Sequence, residues 1–286
     1  MKFLGTGAGE GIPDPFCSCR ICENARLVRG KEIRTRSSFM LDDETVIDLG
    51  ADYLTQSAFY SVPFTKLKNV LFTHMHDDHI NYTFIWERFV KRSSEDFPLN
   101  IYIVGEAEDY FNDFYFSSRL TSGSNIFANM KNVTITRLEF EETYSIGRYF
   151  ITPLKGNHFT VFEKNAANYL IEKDGKSLYY AVDSGWFLPE TVEALSDRHL
   201  TFFIGECTIP AENRNKESDS HMDITLCLKN LDRLYALRAI DENTSIYLTH
   251  IAPEGMTHAE LSDFMEHIGK PYKVNVAYDN LELELL

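Results

Sequence analysis

The sequence predicts a mixed α/β fold in which short strands and helices intersperse without strict βαβ alternation. Three observations carry this expectation. Short apolar runs recur along the chain, bounded by Gly, Asp and Asn turn residues. Segments with apolar residues at helical spacing lie between them. Several apolar runs stop abruptly at Thr-His or Asp, so stiff strands would deliver polar side chains into loops that can converge on one point.

The elements follow in order. Residues 2–4 form an opening strand, followed by a glycine-rich loop over 5–11 and three closely spaced cysteines, Cys17, Cys19 and Cys22. Residues 38–41 and 45–48 read as a hairpin turning at Asp42-Asp43-Glu44. A strand over 69–72 stops at Thr73, and Ile85, Trp86 and Phe89 give an apolar face to a helix over 80–92. Residues 100–104 make a strand, and an aromatic-rich helix is expected over 107–116. Strands recur at 133–138, 149–153, 168–172 and 177–182, the last two joined by Asp174-Gly175, a tight-hairpin pair. Residues 189–195 read as helix, and 201–205 as a continuous apolar strand of the kind covered on both faces. Helices over 223–237 and 257–268 flank a strand at 245–248, and Thr257 with Glu260 has capping-box spacing. Residues 274–278 and 281–285 read as a last hairpin.

Composition bounds the function. The 286 residues suit one domain, and 44% hydrophobic with 25% charged residues excludes disorder, collagen and a disulfide-held miniprotein. Acidic residues outnumber basic ones 43 to 28, a net charge of −15, so neither a nucleic-acid polymer nor an anionic membrane is an expected partner. No apolar run approaches the ~18 residues of a membrane span. The opening Met-Lys-Phe-Leu-Gly-Thr-Gly has no signal-peptide core. Five cysteines, an odd number, argue for a reducing, cytoplasmic setting; Cys207 and Cys227 fall in segments that read as buried strand and helix.

The strongest chemical signal is Thr73-His74-Met75-His76-Asp77-Asp78-His79. Imidazole and carboxylate together suit Zn²⁺, Mn²⁺ or Fe²⁺. His74 and His76, two apart, share a face in extended chain, while Asp78 and His79 begin a new turn. One short segment can thereby serve two ions. A charged, histidine-rich loop directly after a buried strand has no packing reason to exist.

This segment resembles the HxHxDH signature of the metallo-β-lactamase superfamily, and four further motifs follow the same order. Thr45-Val-Ile-Asp48-Leu-Gly50 is similar to the first motif, Asn157-His158 to the third, Ala181-Val-Asp183-Ser184 to the bridging aspartate and Leu248-Thr-His250 to the last histidine. The resemblance implies a four-layer αββα sandwich. It implies one divalent ion on His74, His76 and His158, a second on Asp78, His79 and His250, Asp183 between them, and Asp48 supporting the metal loop from behind.

The run Phe3-Leu-Gly-Thr-Gly through Pro13 and Cys17-Ser-Cys19-Arg-Ile-Cys22 resembles the cyclic phosphodiesterases of phosphonate breakdown. A related opening occurs in a coenzyme-biosynthesis branch. In the phosphodiesterases such cysteines hold a structural zinc, which needs a fourth ligand. Where that group has a histidine this chain has Pro253, which leaves His258 as the candidate. Ser220-His221-Met222-Asp223 resembles a histidine that contacts substrate phosphate and donates a proton, so Asp78 and His221 are the expected catalytic pair. The implied activity is dinuclear-metal hydrolysis of a small cyclic phosphodiester such as 5-phosphoribosyl 1,2-cyclic phosphate. The alternatives are another hydrolase of this scaffold, of coenzyme-biosynthesis or tRNA-processing type, and a metal-binding protein without activity. The insertion-like, aromatic-rich stretch 98–142 reads by default as core, with a lid or a homodimer face as the alternatives.

Overall fold

The computed structural model describes residues 1–81, 83–91, 97–105, 132–159, 165–214 and 220–284. Two mixed sheets stack face to face. The first orders its strands as β1 (Lys2–Gly5), β2 (Ser38–Asp42), β3 (Thr45–Ile47), β4 (Asn69–Leu71), β5 (Leu99–Val104) and β6 (Val133–Leu138). The second runs from its far edge inward as β13 (Val274–Val276), β12 (Ser245–Thr249), β11 (Phe202–Glu206), β10 (Lys176–Ala181), β9 (Ala167–Lys173), β8 (Tyr149–Lys155) and β7 (Tyr144–Ile146). In the first sheet β1 to β3 run antiparallel and β3 to β6 parallel; in the second β7 to β10 run antiparallel and β10 to β13 parallel. The hairpin at Asp174-Gly175 has both residues at positive φ, 51° and 78°, the conformation that favours Asp-Gly.

The strands alternate between two cores. On β10, Leu178 and Tyr180 point between the sheets while Tyr179 and Ala181 point to the outer helices. The inner core joins Phe3, Phe39, Ile47 and Leu71 of the first sheet to Tyr169, Ile171, Tyr180 and Ile204 of the second. Phe39 links the layers, its ring 4.9 Å from Phe3 and 5.5 Å from Tyr180. Outside the first sheet pack α2 (Tyr53–Tyr60) and α3 (Thr83–Lys91), through Tyr53, Phe84 and Ile85. Outside the second pack α1 (Arg20–Val28), α4 (Pro189–Leu195), α5 (Ile224–Ala236) and α6 (His258–Glu266). The layers are helix, sheet, sheet, helix, as the motifs implied.

The Thr257/Glu260 capping box forms in both directions. Helix α3 starts three residues after the expected position, because Asn81 caps it through Thr83. Helices α1 and α2 and strand β7 were not expected from the sequence. Only Ile21, Cys22 and Ala25 of α1 are buried, too narrow a stripe to stand out in a charged segment. The terminal hairpin is a correction. Strand β13 pairs parallel with β12, and the chain then turns at Asp279-Asn280 and lies against β1 of the other sheet. Phe3 donates to Leu281 O at 2.9 Å and Leu283 to Met1 O at 2.9 Å. Asp279 forces that turn, accepting from Thr6 (2.6 Å) and Thr35 (2.7 Å) between the sheets. The helix expected over 107–116, and most of the candidate lid at 98–142, lie outside the described residues.

Candidate metal centre

All the strand exits that carry the motifs open at one end of the sandwich. Asp48 follows β3, the His74–His79 loop follows β4, His158 follows β8, Asp183 follows β10 and His250 follows β12. Asp48, Asp183 and His250 take left-handed φ values of 56°, 50° and 56°. Non-glycine residues rarely do so, and such strain clusters at functional sites. Each bends the chain sharply out of its strand and turns a side chain into the cleft.

The metal loop is tied down from both sheets. Thr73 donates its amide to Asp48 Oδ1 at 2.8 Å, and its own carbonyl accepts from Ala167 at 2.7 Å. Tyr169 reaches across to Phe72 O at 2.6 Å. Gly50 lies so close that a Cβ there would stand 2.3 Å from Asp78 O.

Two donor groups result. In the first, His74 Nε2 lies 2.9 Å and His158 Nε2 3.2 Å from His76 Nδ1. In the second, His79 Nε2 lies 3.1 Å from Asp78 Oδ2 and 2.7 Å from Asp183 Oδ2, which is 3.3 Å from His250 Nε2. The opposite ring nitrogens are held. His74 Nδ1 meets Thr73 Oγ1 (3.1 Å), His79 Nδ1 meets Asp48 Oδ2 (2.8 Å), His158 Nδ1 meets Ser220 (2.9 Å) and His250 Nδ1 meets Thr208 Oγ1 (2.9 Å). Such partners fix the ring orientation that ligation needs.

This donor set fits divalent ions. His79 Nε2, Asp183 Oδ2 and His250 Nε2 are buried with no hydrogen-bond partner among the described residues, though they crowd together. Buried polar atoms are seldom left so, and a cation between them satisfies all three. His74, His76 and His158 form one mutually close trio, and Asp78, His79 and His250 another.

Charge is balanced within the pocket. Burial, and then the neighbouring His79, hold the His74 imidazole well below its ordinary range. Burial would do the same to His79, but Asp78, Asp183 and Asp48 outweigh it and hold that ring well above. Burial pushes Asp48 up despite His79. Asp183 stays well below the usual carboxylate range because His250 and His79 overcome its burial.

His221 sits just ahead of Asp223, the N-cap of α5. Its Nδ1 is 3.4 Å from Asp183 Oδ1 and 3.3 Å from Glu206 Oε2. Burial opposes its protonation, but Glu206, then Asp183 and Asp78, raise it to about 9. Glu206 was missed by the sequence reading. It ends β11 fully buried, accepting from the amides of Ser184 and Met222 and from Thr208. A carboxylate closing a wholly apolar strand was the available signal.

The cysteines also gather, the sulfurs of Cys17, Cys19 and Cys22 lying within 4.8 Å of one another. His258 Nδ1 instead meets Arg34 Nη2 at 2.9 Å, and Cys19 Sγ meets Pro253 O at 3.4 Å. Burial, then Arg34 and Lys31, push His258 down to about 3. Cys207 and Cys227 are both buried, the first just past β11 and the second in α5.

The family model for the beta-lactamase superfamily domain matches residues 44–251, and the chain belongs to that superfamily. That span holds every motif from Asp48 to His250 and leaves Cys17, Cys19 and Cys22 outside. Among curated proteins, the octanoyltransferase of Porphyromonas gingivalis is 23% identical over 98% of this chain; the chain spans 50% of that relative's length. Among solved structures, a new diphosphatase from the PhnP family is 19% identical at a TM-score of 0.69, covering 99% of this chain and 97% of that one. Zn²⁺-bound PqqB from Methylobacterium extorquens is 16% identical at 0.73, covering 99% of each chain. YhfI of Bacillus subtilis, a metallo-β-lactamase fold protein, is 18% identical at 0.68, covering 99% and 98%. These likenesses bear out the fold. No helix among the described residues is long and apolar enough to cross a membrane.

Proposed function

We propose that the chain is a metal-dependent hydrolase of a small cyclic phosphodiester. The observation that carries this reading is the placement of His221 beside the two donor groups, backed by Glu206. A phosphodiester is an anion whose hydrolysis expels an alkoxide, so it needs a cationic proton donor next to the metals. A neutral thioester, whose thiolate can leave unprotonated, has less use for one.

His74, His76 and His158 would hold one divalent ion, Zn²⁺ or Mn²⁺, and Asp78, His79 and His250 the other, with Asp183 shared. Such a pair supplies Lewis acidity and brings the pKa of water from ~16 toward ~7. Asp78, partly open to solvent, orients the attacking water. His221 gives its proton to the leaving oxygen, and Glu206 holds the ring in line and steadies its charge. Five-membered cyclic phosphates are strained, which suits a site with one proton donor. The resemblance of the opening motif favours 5-phosphoribosyl 1,2-cyclic phosphate; small 2′,3′-cyclic nucleotides present the same ring. The net charge of −15 disfavours an RNA polymer. The cysteine trio is proposed as a structural zinc site.

A second reading, hydrolysis of an acyl thioester, draws on the octanoyltransferase relative. The test is a turnover screen of metal-loaded protein against cyclic ribose phosphates, aryl phosphodiesters, lactams and an octanoyl thioester. Phosphodiester turnover, abolished by His76→Ala, is expected, with two ions bound per chain. Turnover of the thioester alone would overturn the proposal.

A further inference from the structure

We propose that Trp186 is a platform on which a flat ring of the substrate stacks, making that substrate a phosphodiester that carries a nucleobase. This rests on the phosphodiesterase reading and selects, among its substrates, the small 2′,3′-cyclic nucleotides over the 5-phosphoribosyl cyclic phosphate that the opening motif favours. Trp186 lies three residues past Asp183, in a loop whose peptides are pinned one after another. Ser184 N bonds Glu206, Gly185 N bonds Asn157 O at 3.1 Å, and Asn157 Nδ2 bonds Trp186 O at 3.0 Å. Asn230 holds Gly185 O (3.2 Å) and Phe187 N (3.3 Å), and Arg233 holds Phe187 O (2.9 Å).

Ser184, Gly185 and Phe187 are buried, yet the tryptophan among them is 38% exposed. The Arg233 guanidinium lies 5.3 Å from its ring centroid and backs the indole. An exposed aromatic ring leaves apolar area in water, and nothing in packing requires so rigid a mount for it. Stacking does require it, because a ring with two side-chain torsions and a fixed backbone loses little freedom on binding. Asn157, which ties this loop down, directly precedes the ligand His158, and Phe159 after it is 70% exposed. Exposed aromatics therefore flank both loops that carry these ligands. Bases stack on such surfaces whatever their hydrogen-bonding edge.

The sequence has two tryptophans, so Trp86→Phe leaves Trp186 as the lone indole. In the metal-loaded Trp86→Phe protein, adenosine 2′,3′-cyclic phosphate should quench the emission and glycerol 1,2-cyclic phosphate should not. Trp186→Ala should raise KM for the cyclic nucleotide about tenfold, within the range seen when stacking platforms are truncated. It should leave kcat and the KM of the glycerol diester unchanged, and Trp186→Phe should restore most of the loss. Equal quenching by both diesters, or an equal rise in both KM values, would overturn the platform. Quenching by the nucleotide without turnover of either diester would keep base recognition and overturn the reaction instead.

Discussion

Replacing Asp48 by Asn tests how the metal loop is held. The aspartate accepts from the Thr73 amide on Oδ1 and from His79 Nδ1 on Oδ2, at 2.8 Å each, and the Thr73 hydroxyl reaches both oxygens. Asparagine offers one carbonyl oxygen and one NH₂ group. With its oxygen kept on the Thr73 amide, its NH₂ faces His79 Nδ1. That nitrogen must then become the acceptor, and the ring proton moves to Nε2, the atom aimed at Asp78 and Asp183. A protonated Nε2 cannot ligate. A charge-assisted bond of about 1.5–3 kcal/mol is lost, which predicts a ten- to hundredfold weaker second metal site, as for other partners of ligating histidines. The same change removes a fully buried carboxylate that burial already disfavours. The metal-free variant should therefore melt no lower than wild type. Chelator competition measures the affinity, and thermal melts with and without metal measure the stability. Unchanged metal affinity would refute the orienting role, and a large loss of metal-free stability would assign Asp48 to the fold alone.

Other outcomes follow from the same geometry. Glu206→Gln should lower kcat about a hundredfold, the lower end of what a positioned proton donor contributes. Its pH–rate profile should also move the alkaline limb set by His221 to lower pH, because the Glu206 carboxylate raises that imidazole. Gly50→Ala should release one metal equivalent with the fold retained, measured by metal analysis and circular dichroism, because its Cβ would displace the Asp78 backbone. His258 has its folded pKa depressed from 6.5 to about 3, so its contribution is present above 6.5 and is lost as pH falls toward 3. His258→Gln should flatten the urea-midpoint decline across that window, and an unchanged slope would discard the assignment.

The catalytic end was legible in the sequence because its signals are local. All seven proposed ligands lie in segments that follow apolar strands, and the metallo-β-lactamase motifs supplied their order. What stayed hidden depends on distant contacts. Glu206 reads as a strand terminus until Ser184, Met222 and His221 are seen converging on it. His258 has the right chemistry for the cysteine site, but Arg34, which is 224 residues away in sequence, engages it. The tail from 281 looked like the second arm of a hairpin because its alternation is that of a strand. Only the hydrogen bonds that Asp279 accepts from Thr6 and Thr35 send it to the opposite sheet.

That tail has a consequence for how the protein is made. Lys2 and Glu282 pair across 280 positions, so β1 acquires its outer neighbour only when residues 281–283 have been made. Until then one border of the first sheet presents bare amides and carbonyls, the kind of edge that recruits other chains. A nascent chain stalled before residue 281 should accordingly be prone to self-association.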